Sequence, residues 1–552
     1  MKLALFNLNL VGSQIVKAED TLSISVMKKY IGRDLLLLLP EKNVEKKEFK
    51  RYIEKILPTL KDVQLVALSV STFSYQLARQ FSKMVREEYS FLPIIIGGSH
   101  IVDEQQAKKT INEGVADIAV LGDVKGLVEL LDLVEKEEIL FNKKSRINVK
   151  FNTETIPKGI YYLNNGKVWG SGRAYLKEQK FPLMLERKFL EEDELDLLLN
   201  NVCPNNCGYC NSPKTIISIP VKDYISDIKS KEIKRIYLYD NNPLWRENKK
   251  RTLEFFESYK EKFKKIPDVV LYSDPSFFIE KKEFDEAVSI VKELGNRNNN
   301  LFFGREVVDE AISEKVRRKY LGDIRKQWRL DKEREVIEKF AKLANKMNFT
   351  LAISYILSPF ETKESVEKML DEVKRFSKYS KIEIKSNFLW PLPGTEIYNM
   401  HKGSFFPVED LDLELECFDF GSINYWHKAH FLDVCFALRA RIFFDYRDLF
   451  YSYYNLSAIE LAKEIAFDNY DKETCTSIIK NLPKDLKKPL GDKLRALCNL
   501  IDKDELFKIN NENLIRLLES YFKVFFNADR VILNRLKKEY EMILRAKSPS
   551  SS

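Results

Sequence analysis

Short stretches that are apolar at nearly every position alternate with amphipathic ones along most of this chain. VQLVALSVS (63–71), LPIIIGG (92–98) and ADIAVLG (116–122) are of the first kind, following LALFNLNL at the start. VEKKEFKRYIEKILPTL (44–60), SYQLARQFSKMVREEY (74–89), DEQQAKKTINEG (103–114) and VKGLVELLDLV (124–134) are of the second. A strand with no polar face must be covered on both sides, the condition of a parallel strand between helical layers. Strand and helix alternating in this order imply a doubly wound, Rossmann-like α/β domain over residues 1–140.

Residues 141–194 are less regular and read as a connector. IYYLNNGKVWGSG within it has a hairpin signature, with Asn165-Gly166 supplying the positive-φ turn. The alternation returns over 195–404. Candidate strands are LDLLLNNV, RIYLYD, VVLYS, LFFGRE, TLAISYIL and IEIKSNFLW. Six such units suggest a partial (β/α)6 barrel, whose active site belongs at the C-terminal ends of its strands. Residues 405–545 are aromatic-rich and read as a mainly helical domain, and 546–552 as a disordered tail.

Net charge is +8, from 91 basic and 83 acidic residues interleaved throughout. No block resembles a nucleic-acid-binding tail, so a solvated Lys-rich surface accounts for the excess, and no nucleic-acid partner is expected. The longest aliphatic run, LLLLL at 35–39, is far shorter than the roughly 20 residues of a membrane helix. The N-terminal MKLALFNLNLVGSQ has no cleavage-site pattern and reads as a first strand. The expectation is a cytoplasmic protein, where clustered cysteines serve metal or redox chemistry more often than disulfides.

Three of the seven cysteines, Cys203, Cys207 and Cys210, stand together in NVCPNNCGYCNSPKT, directly after the first barrel strand. Thiolates at this spacing converge on one inorganic centre, an iron–sulfur cluster or zinc. Closed sites of either kind usually have four protein ligands. Cys417, Cys435, Cys475 and Cys498 lie singly in apolar or helical surroundings and read as small buried hydrophobes. One corner is left without a protein ligand.

C-x3-C-x2-C with an aromatic residue, Tyr209, before the last cysteine resembles the signature of radical S-adenosylmethionine (SAM) enzymes. The resemblance implies a 4Fe–4S cluster held by the three cysteines, with SAM on the remaining iron and a reducing partner such as flavodoxin or ferredoxin. Further stretches are similar to that family. RIYLYDNNP ends the second strand with Asp240, Asn241 and Asn242, where relatives meet the amino group of SAM. LFFGREVVDEAI offers Glu306 as a polar contact to SAM, and Arg317, Arg318 and Lys319 offer a carboxylate clamp. YILSPFETKES has Phe360 where the family pattern has Gly. LWPLPGTEIY, with Pro393-Gly394-Thr395, resembles the subclass that carries an N-terminal cobalamin domain.

Residues 1–140 are similar to such a domain in three elements. These are a strand ending in Ser69, Ser71 and Thr72, a strand ending in Gly97-Gly98-Ser99-His100, and Asp117 followed by Gly122. The resemblance implies that Ser69, Ser71, Thr72, Gly97, Gly98, His100 and Gly122 approach cobalamin. The family's acidic–Gly–acidic run after Gly122 is replaced here by Asp123, Val124 and Lys125. His427 and His430 sit at i, i+3 but read as ordinary helix histidines, with no motif to complete a metal site.

The resemblance implies a cobalamin-dependent radical SAM methyltransferase acting on a carbon or phosphorus centre of a metabolite, natural product or peptide. Radical cyclisation or rearrangement on the same scaffold is an alternative, and so is a non-catalytic cluster- or zinc-binding interaction protein. An RNA methylthiotransferase would need further cysteines upstream, and none precedes Cys203.

Overall fold

The structure is a computed structural model. It describes most of residues 2–400; outside the described residues lie 401–552 and internal segments that include 16–28, 152–155, 175–181, 211–218 and 317–318. Thr72, Arg318, the downstream cysteines, His427, His430, the helical domain expected over 405–545 and the tail therefore fall outside them.

The N-terminal sheet has seven strands. In chain order these are β1 (Leu3–Leu8), β2 (Leu35–Leu37), β3 (Leu65–Val70), β4 (Ile94–Gly97), β5 (Ile118–Val120), β6 (Ile160–Asn164) and β7 (Lys167–Gly170). Their spatial order is β2-β1-β3-β4-β5-β6-β7, parallel from β2 to β5. The hairpin β6–β7 adds antiparallel to β5. Asn165 and Gly166 supply its turn at φ of 50° and 78°, as the Asn-Gly pair requires.

The uniformly apolar strands follow from burial on both faces. Ala4, Phe6, Val66, Leu68, Ile94 and Ile96 enter one core cluster. It also takes apolar residues of α1 (Phe49–Ile56), α2 (Tyr75–Glu88) and α3 (Glu104–Asn112). Leu3, Leu5, Leu65, Ala67, Ile95 and Ile118 point the other way, onto α4 (Val124–Glu135). At about 1.5–3 kcal/mol for each large apolar side chain buried, a polar residue on either face would be costly. Asp123, in the run that departs from the family pattern, accepts a hydrogen bond from the Lys125 backbone at 3.0 Å and caps α4.

The second sheet also has seven strands, here in simple chain order. They are β8 (Met184–Phe189), β9 (Glu192–Leu197), β10 (Ile233–Leu238), β11 (Asp268–Ser273), β12 (Asn300–Glu306), β13 (Thr350–Leu357) and β14 (Ile382–Phe388). β8 is antiparallel to β9, and β9 to β14 are parallel throughout. The intervening helices include α5 (Val221–Asp227), α6 (Arg246–Phe263), α7 (Lys281–Leu294), α8 (Gln327–Met347) and α9 (Lys363–Ser377). This is the expected open six-unit barrel, with one extra edge strand. Burial alternates along β12: Leu301, Phe303 and Arg305 are buried, whereas Asn300, Phe302, Gly304 and Glu306 are half-buried. A period of two places alternate residues on the helical layer and in the lumen.

The first barrel strand starts earlier than its apolar letters indicate. EDELDL (192–197) is the strand, with Glu194 and Asp196 buried. Arg235 lies within ion-pair distance of Glu194, and the Tyr237 hydroxyl donates towards the same carboxylate at 3.4 Å. The lumen is polar here, which is why these carboxylates occur inside a strand.

Candidate active site

The loop after β9 carries the three cysteines and is tied to four neighbouring strand ends. The Asn242 side-chain amide, after β10, donates to Cys203 Sγ at 3.2 Å. Asn205 donates to Asp274 Oδ2, after β11, at 2.7 Å. The Tyr209 hydroxyl donates to the Glu306 carboxylate at the end of β12. The Ile397 backbone N–H, following β14, donates to the Gly208 carbonyl at 2.8 Å. A loop anchored on these sides holds its thiols at the mouth of the barrel, where a (β/α) sheet places its chemistry.

Cys203, Cys207, Tyr209, Cys210, Asn241 and Glu306 all line one cavity of about 450 Å³, within the roughly 300–1,000 Å³ of small-molecule sites. Gly304, Ser354 and Lys385 share a register row across β12, β13 and β14. The two small residues leave space, and Lys385 closes the row as the cation of the described lining. Lys385 Nζ lies 4.6 Å from the Phe302 ring centroid, and Phe302 stacks on Tyr272 at 4.9 Å. Glu306 has φ of 63°, a left-handed conformation that costs a non-glycine residue about 1–3 kcal/mol and collects at functional sites.

Asp240 does not line this cavity. It is fully buried, and its two oxygens accept from the Leu199 and Asn200 amides at 2.8 and 2.9 Å. Burial raises its pKa to about 7, against the lowering effect of those two amides. Its carboxyl fixes the strand end that launches the cysteine loop. The sequence reading also passed over Asn205 and Asp274; a polar residue after each barrel strand was the available signal.

The donor set fits an iron–sulfur cluster. None of the three cysteines is in a disulfide, and three soft thiolates on one short loop are a set that such clusters take, each on a separate iron.

In the N-terminal domain the parallel strands run 2-1-3-4-5, and the switch point of that topology lies between the C-terminal ends of β1 and β3. Ser69 and Ser71 are half-buried beside it, and the Ser71 and Ser74 hydroxyls are hydrogen-bonded at 3.0 Å. Those two serines fit a ligand seated at the switch point. Gly97 lies at the end of β4, where an added Cβ would make only ordinary contacts. Gly98, Gly122 and His100 are packed against the chain itself. Gly98, at φ of 99°, lies against the backbone of Val70, where a Cβ would come within 2.6 Å of its N and O. Gly122, at φ of 126°, is packed on the backbone of Ala174 in the same way. Both glycines serve close chain packing. His100, in the loop after β4, is buried and stacks on Tyr75 at 4.1 Å.

The two strand-end regions meet. Gly394, in the turn after β14 at φ of 82°, approaches Val102 in the loop after β4 so closely that a Cβ would lie 2.6 Å from its side chain. The same turn leads to Ile397 and so to the cysteine loop.

No protein-family model and no curated protein matches the chain. Among solved structures it is similar to the radical SAM methyltransferase TsrM from Kitasatospora setae. The form with cobalamin and a [4Fe-4S] cluster bound matches at a TM-score of 0.50 and 14% identity, over 72% of this chain and 76% of that one. The form with tryptophan substrate and the SAM analogue aza-SAM matches at the same score and identity, over 72% and 74%. The likeness is one of fold. It extends over most of the mixed α/β chain described above. Methylornithine synthase matches at a TM-score of 0.27 over 45% of the chain, too little to bear on the architecture.

Proposed function

We propose that the chain is a cobalamin-dependent radical SAM enzyme that methylates a small organic molecule or peptide. The observation that carries this reading is the three-cysteine cavity at the barrel mouth, beside a turn whose Gly394 packs on Val102 in the loop after β4 of the doubly wound domain. Cys203, Cys207 and Cys210 would hold a 4Fe–4S cluster, with Tyr209, Asn241 and Glu306 beside SAM and Ser69 and Ser71 towards cobalamin. When bound, these groups supply a hydrogen-abstracting radical and a transferable methyl group.

The residues of the chain do the rest. The four loop anchors hold the thiols in place, and Glu306, fixed by Tyr209, presents carboxylate oxygen to the cavity. The Tyr272–Phe302 stack offers a flat apolar surface, and Lys385 above it can pair with an anionic group. That wall suits a planar substrate with a carboxylate or phosphate, consistent with the tryptophan held by TsrM. An electron donor such as flavodoxin or ferredoxin would serve the cluster. Among the described residues no helix is long and apolar enough to cross a membrane.

Anaerobically reconstituted protein, given SAM with a deuterated methyl group, cobalamin and reductant, tests the reading. The expected result is 5′-deoxyadenosine together with label in a product. Label-free product with 5′-deoxyadenosine would favour cyclisation or rearrangement, and absence of 5′-deoxyadenosine would sink the radical reading altogether.

A further inference from the structure

We propose that Asn242 is a positioning residue whose side-chain N–H donates to the Cys203 thiolate and so raises the reduction potential of a cluster held there. The inference rests on the cluster assigned above. Asn242 Nδ2 lies 3.2 Å from Cys203 Sγ, and the residue is only 3% exposed. An amide nitrogen can only donate, so the sulfur is the acceptor. The flipped amide would set its oxygen against an anionic sulfur, which excludes that orientation.

The donor's backbone is clamped, and its burial leaves the side chain little room. The Asn242 carbonyl accepts from Asn248 Nδ2 at 2.9 Å and from the Trp245 N–H at 3.1 Å. Asn248 is fully buried on α6, and the Thr252 hydroxyl bonds the carbonyls of Asn248 and Pro243 at 3.0 and 2.9 Å. A line of hydrogen bonds thus runs from the first turns of α6 to one cysteine of the triad. Reduction adds an electron to the cluster and increases charge on its sulfur ligands. A hydrogen bond to one of those sulfurs stabilises the reduced form more than the oxidised one, so the potential rises.

The test is an EPR-monitored redox titration of the reconstituted full chain without SAM, with iron and sulfide content measured on the same samples. Asn242→Leu removes the donor at similar volume, and Asn242→Asp keeps the shape but puts an anion beside the sulfur. The expected order of potentials is wild type, then Leu, then Asp. The leucine variant should lose about tenfold in its reduction equilibrium, about 59 mV for one electron. A purely structural role would lower cluster content and leave the potential of the loaded fraction unchanged. Equal potentials in loaded wild type and variants overturn this inference alone. A wild type that takes up no iron and sulfide overturns the cluster assignment and this inference with it.

Discussion

Glu361 is buried in the turn after β13, where the Ser358 hydroxyl donates to one of its oxygens at 3.0 Å and the Ser365 hydroxyl to the other at 2.6 Å. Burial raises its pKa from the ordinary 4.5 to about 7, against the lowering effect of the serine hydrogen bonds. Between those values the folded state binds more protons than the unfolded one, so this group's contribution is full below pH 4.5 and is lost as pH rises through 7. His100 acts in the opposite sense. Burial, and then the Lys109 charge, lower its pKa from 6.5 to about 3, so its contribution is present above pH 6.5 and lost as pH falls. Glu361→Gln keeps the serine partners and isolates the first effect. Measured by thermal unfolding, the variant should gain on wild type steadily from pH 4.5 to 7, by roughly 2–3 kcal/mol in all. A difference that does not change with pH would contradict it. The cysteines, Tyr209 and Glu306 were legible as residues because motif spacing marked them. The surroundings of Asp240 and His100 were not legible, because a polar letter at a strand end does not reveal whether its side chain faces the lumen or the chain's own backbone.

Among the elements, β12 carries Arg305, the largest fully buried side chain among the described residues. The Arg305 guanidinium bonds both oxygens of Glu372 on α9, at 2.7 and 2.9 Å, and Glu333 on α8 at 3.1 Å. Burial opposes its charge, and the two carboxylates more than restore it. Arg305 thereby ties two helices to the back of the strand whose inner face presents Phe302, Gly304 and Glu306. Arg305→Ala leaves two buried carboxylates uncompensated and should cost about 3–5 kcal/mol of stability, read by denaturant unfolding. A loss below about 1 kcal/mol would show the network to be dispensable, as an exposed pair is. Nothing in LFFGRE announced a buried arginine, because its partners lie 28 and 67 residues away. The apolar runs themselves were readable wherever both faces are covered. They failed at EDELDL, where a polar lumen takes every second residue.

For the whole molecule, the turn at Gly394 packs the chain after β14 on the loop after β4. Gly394→Ala adds a carbon 2.6 Å from the Val102 side chain, at a φ that L-residues rarely adopt. It should loosen the loop after β4 and the cysteine loop together, seen as faster amide hydrogen exchange in residues 100–105 and 205–210. Faster exchange confined to the turn would contradict the proposed coupling. The domain-to-domain contact could not be read from the sequence, since Pro393-Gly394-Thr395 as letters marks only a turn. The central claim is that the open corner of the cysteine triad belongs to a redox cluster facing a cobalamin domain. Iron, sulfide, cobalt and zinc analysis of the anaerobically reconstituted protein tests it most directly. The account predicts iron and inorganic sulfide in equal amounts, both lost in Cys207→Ala, with cobalt retained by the N-terminal domain. Stoichiometric zinc without sulfide would contradict it.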